Sequence, residues 1–449
     1  ILGENERLND LNWKDSYQRK LTTFEDAAKK VKSGDFVTTA LGLGACSVDF
    51  FEAILDRYNE LQNVSLSDSL QLHPSRLYDP VFMNNIKEHI QYVPAFGLAS
   101  IRKMYGANCD YLINNLSDSG DKLIRRGNVF ICQVTPPDNR GYMNFGLCND
   151  YSLEMMENRK SGAMRMAIGE VNDQMPVVYG KNWIHVSEFD YLIEHSSAPQ
   201  TYKRNPPTEV EKTIAGYVLE LINDGDVIQM GLGGITESVF AGLENKHGLG
   251  VHSEMLPIGL PRMMEEGIID NKSKPFDRGI SVGTFCLGDE EMYQYVAENP
   301  AVELHPGYYV NQASRIAQIP NMLAVNNALL IDFSGQIAAE GLGHRMISGS
   351  GGQLDFVMGS YWSPGGKSVT LLRSARQGAD GQLISSIVPG LPTGTPVTVP
   401  RTFANYVITE YGITDLRQKT RRERANALIN IAHPDLRSEL RREMEKVFY

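Results

Sequence analysis

One local pattern occurs twice in this sequence, and it constrains the fold more than any other feature. In each copy a helical stretch ends at a Gly-Asp pair, a short β-rich run follows, and a glycine turn leads into the next helix. The first copy lies between Thr22 and Leu55, and the second lies between Lys212 and Leu243. Strand, turn and helix in this order open a βαβ unit, in which helices connect parallel strands. The repeat therefore predicts an α/β fold with two similar open-sheet domains, each covered by helices.

The individual elements follow from residue type and spacing. β-Branched and apolar residues predict strands at Phe36–Ala40 and Val227–Met230, and helical apolar spacing follows each glycine turn. A hairpin is predicted where the run Ala328–Phe333 meets Gln336–Ala339 across Ser334-Gly335. The charged final thirty residues predict a solvated surface helix.

A chain of 449 residues exceeds the size at which a single core keeps growing, so two domains are expected. The stretch from Ser196 to Thr208 is rich in Pro and Ser and has no apolar periodicity, which is typical of a linker. We therefore predict an N-terminal domain at residues 1–205 and a C-terminal domain at residues 206–449.

Charge and cysteine usage exclude several classes of protein. The net charge is −11, and the densest basic stretch, Arg417–Arg424, fits a solvated helix face, so nucleic-acid binding is not expected. The five cysteines lack the spacing of a disulfide framework or a zinc site. No apolar run is long enough to span a membrane. Residues Ile1–Asn5 do not resemble a signal peptide, so we expect a protein of the reducing cytoplasm.

Glycine turns between a strand and a helix can serve as binding sites. They present backbone N–H groups at the positive end of the helix, and glycine allows a ligand close to the backbone. Gly231-Leu232-Gly233-Gly234 fits this context, but it is neither a Walker loop nor a full dinucleotide fingerprint. A tight structural turn is an equal alternative there, and it is the favoured one for Gly42-Leu43-Gly44.

A glutamate follows a predicted short strand in Leu249-Gly250-Val251-His252-Ser253-Glu254-Met255. Ligands of open α/β sheets bind at the carboxyl ends of strands, and a partly desolvated carboxylate there is a stronger nucleophile. From the residues alone, a structural Glu254 paired with an arginine or capping a helix is the more common case. His252 is a candidate general base, with a hydrogen-bonded structural histidine as the more common alternative.

Six segments, in matching order, resemble the family I CoA transferases of the acetyl-CoA hydrolase/transferase group. Within that group the chain resembles the 4-hydroxybutyrate and butyryl-CoA:acetate CoA-transferases from Leu11 to about Leu436. The matching segments are Gln133–Tyr142, Ile184–Tyr191, Gly231–Ile235, His252–Met255, Ser350–Phe356 and Arg401–Gly412.

The resemblance implies a site and its residues. It implies that Glu254 is the covalent nucleophile of an active site between the two domains. The implied CoA-binding residues are Gly231, Leu232, Gly233, Gly234, Ile235, Gly351 and Gly352. Arg376 is a further candidate, for contact with a CoA phosphate, and a solvated loop arginine is an equal alternative there. Gly233 and Gly234 are implied as the oxyanion hole, and Gln229 and Asn326 are additional candidates to line the acyl pocket. The resemblance also implies that CoA is a co-substrate and that the enzyme uses no metal and no tightly bound cofactor. It implies a homodimer or a homotetramer.

The implied reaction moves CoA between an acyl-CoA, such as acetyl- or butyryl-CoA, and a small carboxylic acid, such as 4-hydroxybutyrate or butyrate. Thr236 stands where the family usually has proline, and Leu256–Gly259 replaces the common I-S-D-G. These departures leave open an acyl-CoA hydrolase and a transferase for itaconate or another dicarboxylate. A non-catalytic acyl-CoA sensor and a sugar-phosphate isomerase-like enzyme are the more distant alternatives.

Overall fold

The protein is described by a computed structural model that covers residues 12–448 except 71, 98, 105, 160, 161, 163 and 204. The prediction that the chain has no signal peptide was based on Ile1–Asn5, which lie outside the described residues.

The chain divides into two compact units. The first unit combines the described part of Ile1–Thr201 with Thr284–Tyr309, and the second combines Tyr202–Gly283 with the described part of Val310–Tyr449. The division at 201/202 lies within the linker predicted from composition. The structure adds to the first unit a segment, 284–309, that the sequence pattern assigned to the C-terminal domain.

The elements alternate along the chain as the pattern predicts. Up to Glu194 they are α1 (Trp13–Lys20), α2 (Phe24–Ala28), β1 (Phe36–Leu41), α3 (Val48–Leu55), β2 (Val64–Ser69), α4 (Pro80–Asn85), β3 (Ile90–Tyr92), α5 (Ser119–Arg126), β4 (Val129–Val134), β5 (Tyr142–Asn144), α6 (Ser152–Glu157), β6 (Met166–Val171), β7 (Trp183–His185) and β8 (Tyr191–Glu194).

From Glu209 onward the elements are α7 (Glu209–Leu221), β9 (Val227–Met230), α8 (Gly234–Ala241), β10 (Gly250–Val251), α9 (Leu260–Glu265), β11 (Ser281–Gly283), α10 (Glu290–Val296), β12 (Val302–Leu304), α11 (Gly307–Val310), α12 (Ala313–Ile316), β13 (Met322–Asn327), β14 (Leu330–Asp332), β15 (Ile337–Ala338), β16 (Gly341–Leu342), β17 (Arg345–Met346), α13 (Gln353–Trp362), β18 (Lys367–Leu371), β19 (Ala375–Gln377), β20 (Leu383–Ser385), β21 (Ile387–Val388), β22 (Tyr406–Thr409), β23 (Gly412–Asp415), α14 (Arg421–Asn430) and α15 (Arg437–Phe448).

Each unit is built on a six-stranded sheet. In the first unit the order is β3-β2-β1-β4-β6-β8, and every neighbouring pair is parallel. In the second the order is β10-β9-β13-β18-β22-β23, parallel except for the last pair. The predicted α/β class with two parallel open sheets is confirmed. The strand order reverses beside β1 and beside β9, and such switch points open the crevices that bind ligands.

The repeated Gly-Asp pair has a common structural basis. Gly34 and Gly225 have φ of +83° and +81°, a left-handed conformation that ends the preceding turn and favours glycine. The aspartate that follows each glycine folds back, with Asp35 Oδ2 2.7 Å from the N–H of Lys32 and Asp226 Oδ2 2.9 Å from that of Asn223. The pair therefore closes the turn that leads into β1 and β9.

Burial matches the apolar pattern of the strands. All six residues of β1 and all four of β9 are buried, as expected for strands covered by helices on both faces. The predicted hairpin is present, since β14 and β15 pair antiparallel across Ser334-Gly335. The final residues are helical, as predicted, but they form two helices, α14 and α15, and Leu428, Ile429 and Leu440 are buried in a hydrophobic cluster instead of being solvated.

Candidate active site

Four neighbouring parallel strands of the second sheet end at the same edge and carry the candidate residues there. Glu254 lies three residues after β10, and the turn Gly231–Gly234 directly follows β9. Asn327 ends β13, and Arg373 lies two residues after β18. The carboxyl edge of this sheet, at its switch point, therefore holds a carboxylate, a glycine loop, an amide and a guanidinium in strand order.

Glu254 is held by two hydrogen-bond donors. The side-chain Nδ2 of Asn311 donates to Glu254 Oε2 over 2.8 Å, and the backbone N–H of Gly352 donates to the same carboxylate. Glu254 is half-buried, whereas Asn311 is fully buried and so is held in one position. The two donors fix the orientation of a carboxylate whose predicted role is nucleophilic.

Burial dominates the electrostatics of this carboxylate. It raises the pKa of Glu254 from 4.5 to about 7, although the hydrogen bonds from Asn311 and Gly352 favour the ionised form and oppose the shift. A carboxylate that has lost much of its hydration, yet ionises near neutral pH, is suited to nucleophilic attack.

Gly352 touches the carboxylate so closely that a side chain at this position would have to displace Glu254 or Asn311. A Cβ there would overlap with Glu254 Oε2 and with Asn311 Nδ2. The preceding Gly351 has φ of +56°, which favours glycine for conformational reasons. The two glycines that the resemblance assigned to CoA binding thus lie at Glu254, and Gly352 is directly in contact with it.

His252 has a structural environment. It is fully buried, and its Nε2 lies 2.8 Å from the carbonyl oxygen of Val310. Since a carbonyl only accepts, Nε2 carries the proton. The rings of Phe276 and Phe356 pack beside it, each at a centroid distance of 6.3 Å. These contacts favour the structural alternative over the general base, and they anchor the backbone next to Asn311.

A cavity of about 300 Å³ opens beside the glycine loop. All five loop residues predicted to bind CoA, Gly231–Ile235, line it. Gly233 has φ of +119°, which requires glycine, and α8 begins at Gly234. The other lining residues are Glu211, Thr236, Val325, Asn327, Ala328, Leu371, Leu372 and Arg373.

The remaining predicted residues are divided between two places. Gln229 and Asn326 lie on adjacent strands, β9 and β13, and Asn326 Nδ2 donates to Gln229 Oε1 over 3.2 Å. They form one polar pair between the strands that flank the switch point. Arg376, in contrast, is exposed on β19, where it pairs with Ile384, and it is not among the residues that line the cavity.

Several residues near this edge, among them Asn311, Glu211 and Arg373, were not anticipated from the sequence. Asn311 is 57 residues from Glu254 and follows no strand or glycine motif that would mark it. Glu211 is part of the capping box that starts α7, and Arg373 follows a strand, a position that could have drawn attention to it. The guanidinium of Arg373 lies 3.6 Å from the carboxylate of Glu211.

No group of three or more His, Cys, Asp or Glu side chains among the described residues could hold a metal ion. The described helices include none with the length and apolar character needed to cross a bilayer.

Comparison with known proteins assigns the family. Residues 5–201 match the acetyl-CoA hydrolase/transferase N-terminal domain, and residues 288–444 match the corresponding C-terminal domain. This chain belongs to the acetyl-CoA hydrolase/transferase family. The predictions of the family and of a CoA-transferase enzyme are confirmed. Glu254 lies between the two matched segments.

Individual relatives match over nearly the whole chain. The chain is 34% identical to the 4-hydroxybutyrate coenzyme A transferase of Clostridium kluyveri, over 98% of this chain and 100% of that protein. It is 35% identical to the succinyl-CoA:cyclohexane-1-carboxylate CoA transferase of Geobacter metallireducens, over 96% of both chains. The crystal structure of RipA from Yersinia pestis superposes with a TM-score of 0.87 at 30% identity, covering 97% of this chain and 99% of RipA.

Proposed function

We propose that this enzyme transfers CoA from an acyl-CoA to a small carboxylic acid, with Glu254 as the covalent nucleophile. The observation that carries the proposal is the environment of the Glu254 carboxylate. It is half-buried at the carboxyl edge of a parallel sheet, is held by Asn311 and Gly352, and has a pKa of about 7.

In the first half-reaction, an oxygen of Glu254 attacks the thioester carbonyl carbon of the acyl-CoA. The C–S bond breaks, CoA leaves as the thiolate, and a mixed anhydride joins the acyl group to Glu254. The thiolate then attacks the glutamyl carbonyl carbon, which releases the first acid as its carboxylate and leaves a glutamyl-CoA thioester. Thioester energy is conserved in this intermediate, so the exchange needs no other energy source.

In the second half-reaction, the carboxylate of the incoming acid attacks the glutamyl-CoA thioester, and the same steps run in reverse. The kinetics are therefore ping-pong. Two tetrahedral intermediates form at the glutamyl carbonyl, and the negative charge develops on an oxygen of Glu254 itself. Asn311 Nδ2 and the Gly352 N–H already donate to this carboxylate, so they are placed to stabilise that charge.

Attack on the acyl thioester places charge on the substrate oxygen, and a different set of donors is required. The backbone N–H groups of Gly233 and Gly234 are our candidates, because they belong to the glycine loop after β9, next to the strand that precedes Glu254. Gln229 and Asn326, which pair at the ends of β9 and β13, complete the proposed acyl pocket.

The substrate acids are proposed by similarity. The relatives compared above are named for 4-hydroxybutyrate and for succinyl-CoA with cyclohexane-1-carboxylate. We therefore propose a small monocarboxylate or dicarboxylate as acceptor, with the acyl-CoA as donor and CoA as a co-substrate that is not retained. A cytoplasmic homo-oligomer is the proposed form of the enzyme.

The test is to trap the covalent intermediate. The full chain is incubated with butyryl-, acetyl- or succinyl-CoA without acceptor acid, reduced with borohydride, and digested for mass spectrometry. Reduction of the thioester converts the glutamyl side chain to the alcohol, and we expect this change at Glu254 in samples that received acyl-CoA. An unmodified Glu254 with every donor, in protein that binds acyl-CoA, would overturn the nucleophile assignment.

The Glu254→Gln variant and an acceptor series complete the design. The variant keeps the size of the side chain but lacks the nucleophilic oxygen, so neither modification nor exchange is expected. Release of free CoA is measured with and without acceptor acid. Release that does not depend on the acid would identify a hydrolase instead of a transferase.

A further inference from the structure

One cation faces the cavity beside the glycine loop. Among the described residues that line this cavity, Arg373 has the only positive charge and Glu211 the only negative one. The side chain of Arg373 is 59% exposed, so its guanidinium is accessible to a ligand that enters the cavity.

The position of Arg373 in the sheet matches the shape of CoA. Glu254 follows β10 and Arg373 follows β18, and these strands are separated by β9 and β13. Three strand spacings of roughly 4.8 Å place the two strand ends about 14 Å apart along the edge. CoA has its sulfur at one end, a neutral amide-containing pantetheine arm in the middle, and phosphates beyond it. A CoA with its sulfur at Glu254 and its arm along the glycine loop brings its phosphates towards Arg373.

The charge beside the glycine loop supports this orientation. A Cβ at Gly234 would lie 2.8 Å from Glu211 Oε2, so this carboxylate sits directly against the first turn of α8. There it offsets the positive end of the helix and disfavours a permanent negative charge such as a phosphate, which leaves the N–H groups of Gly233 and Gly234 for the thioester oxygen, whose charge is only transient. The loop is therefore suited to the neutral arm of CoA, and the anionic part belongs at the guanidinium.

The contact between Arg373 and Glu211 is weak enough to exchange. The 3.6 Å separation is long for a hydrogen bond, and an ion pair whose arginine is exposed to solvent contributes little stability. Glu211 is also held by Thr208, whose backbone N–H and hydroxyl both donate to Oε2 over 2.8 Å, so it stays in place when Arg373 moves. Arginine binds phosphate through two parallel N–H bonds, which is a stronger interaction.

We propose that Arg373 binds a phosphate group of CoA, releasing Glu211, and that it is the CoA-binding cation of this cavity in place of Arg376. This inference rests on the proposed function, because it takes CoA as the ligand and Glu254 as the place of its sulfur.

The test measures binding and not turnover. CoA, dephospho-CoA and pantetheine are titrated calorimetrically into the full-length wild type and into Arg373→Gln, Arg376→Gln and Arg442→Gln. Arg442 is an exposed residue of α15 and serves as the matched loss of one positive charge. We expect Arg373→Gln to weaken CoA binding roughly 10- to 100-fold, as for loss of a charge-assisted hydrogen-bonded pair, and to leave pantetheine binding unchanged. Arg442→Gln should bind as the wild type does.

Dephospho-CoA identifies the phosphate. It retains the diphosphate but lacks the 3′-phosphate. If Arg373→Gln also weakens the binding of dephospho-CoA, Arg373 binds the diphosphate. If the variant binds dephospho-CoA as the wild type does, Arg373 binds the 3′-phosphate. Glu211→Gln preserves the capping box, since glutamine also serves at that position, and removes the competing charge. We expect it to tighten CoA binding about two- to fivefold.

The inference is overturned if Arg373→Gln binds CoA as the wild type does, or if its affinity for pantetheine falls as much as its affinity for CoA. It is also overturned if Arg376→Gln is the variant that weakens CoA binding and leaves pantetheine binding unchanged. These outcomes are independent of the proposed function. A wild type that binds CoA but forms no adduct at Glu254 refutes the nucleophile assignment, and the variants still decide the role of Arg373. An adduct at Glu254 together with an unaffected Arg373→Gln refutes this inference alone.

Discussion

The hydrogen bond from Asn311 to Glu254 should control the pH at which the enzyme becomes active. Asn311→Ala removes the Nδ2 donor that lies 2.8 Å from Glu254 Oε2 and leaves the N–H of Gly352. A hydrogen bond to a charged group contributes about 1.5–3 kcal/mol, which corresponds to roughly one to two pKa units. Because the bond favours the ionised carboxylate, its loss should raise the pKa of Glu254 from about 7 to roughly 8–9.

The assay is the pH dependence of kcat/KM for an acyl-CoA, which reports ionisations of the free enzyme. With the ionised carboxylate as the nucleophile, activity rises with pH through the pKa of Glu254. At pH 7 the ionised fraction falls from about half to between roughly a tenth and a hundredth. We therefore expect a loss of about 5- to 50-fold at pH 7 from the change in ionisation, which disappears above pH 9 and adds to a pH-independent loss because Asn311 also stabilises the tetrahedral charge.

The control is Asn405→Ala, which shortens another buried asparagine. Asn405 is 2% exposed and immediately precedes β22, which is separated from β10 by three strands of the same sheet. It should leave the pH profile in place. If Asn311→Ala lowers kcat/KM equally at every pH, with the rise still centred near pH 7, then Asn311 does not set the ionisation of Glu254 and the reasoning is wrong.

Two further predictions concern the same carboxylate. Folding raises the pKa of Glu254 from 4.5 to about 7. Ionisation of Glu254 therefore does not lower the free energy of unfolding below pH 4.5, lowers it increasingly as pH rises to about 7, and has a nearly constant effect above that pH. Glu254→Gln has no such ionisation. Thermal unfolding should show that the free energy of unfolding of the variant, relative to wild type, is higher at pH 8 than at pH 4.5 by up to about 3 kcal/mol. A difference that is the same at both pH values would contradict the assignment. Gly352→Ala places a Cβ where Glu254 and Asn311 now lie, and steady-state kinetics should show kcat reduced roughly 100-fold or more. Gly390→Ala, whose Cβ meets no atom within 4 Å, should retain wild-type kcat, and equal values for the two variants would show that the contact at Gly352 is not needed.

Local patterns in the sequence were sufficient for the architecture. Buried strands of consecutive apolar residues, Gly-Asp turns with a left-handed glycine, and glycine loops before helices are decided by residues close together in the chain. For that reason β1, β9 and the turn Gly231–Gly234 were predicted at the correct positions. The same patterns placed Glu254 after a short strand, and its motif within the family is the basis on which it is proposed as the nucleophile.

Other features depend on contacts between distant parts of the chain. The segment 284–309 packs with the first unit although it follows the second unit's β11, and no local signal marks this return. Asn311 meets Glu254 across 57 residues, and Arg373 enters the cavity while Arg376, three residues later, does not. The sequence by itself determined the two α/β units, the glycine loop and the candidate nucleophile, because each is specified by neighbouring residues. Only the tertiary structure decided which donors hold the carboxylate and which cation faces the cavity. The reason is that strand order determines which side chains meet at a sheet edge, and strand order is set by the packing of the whole unit.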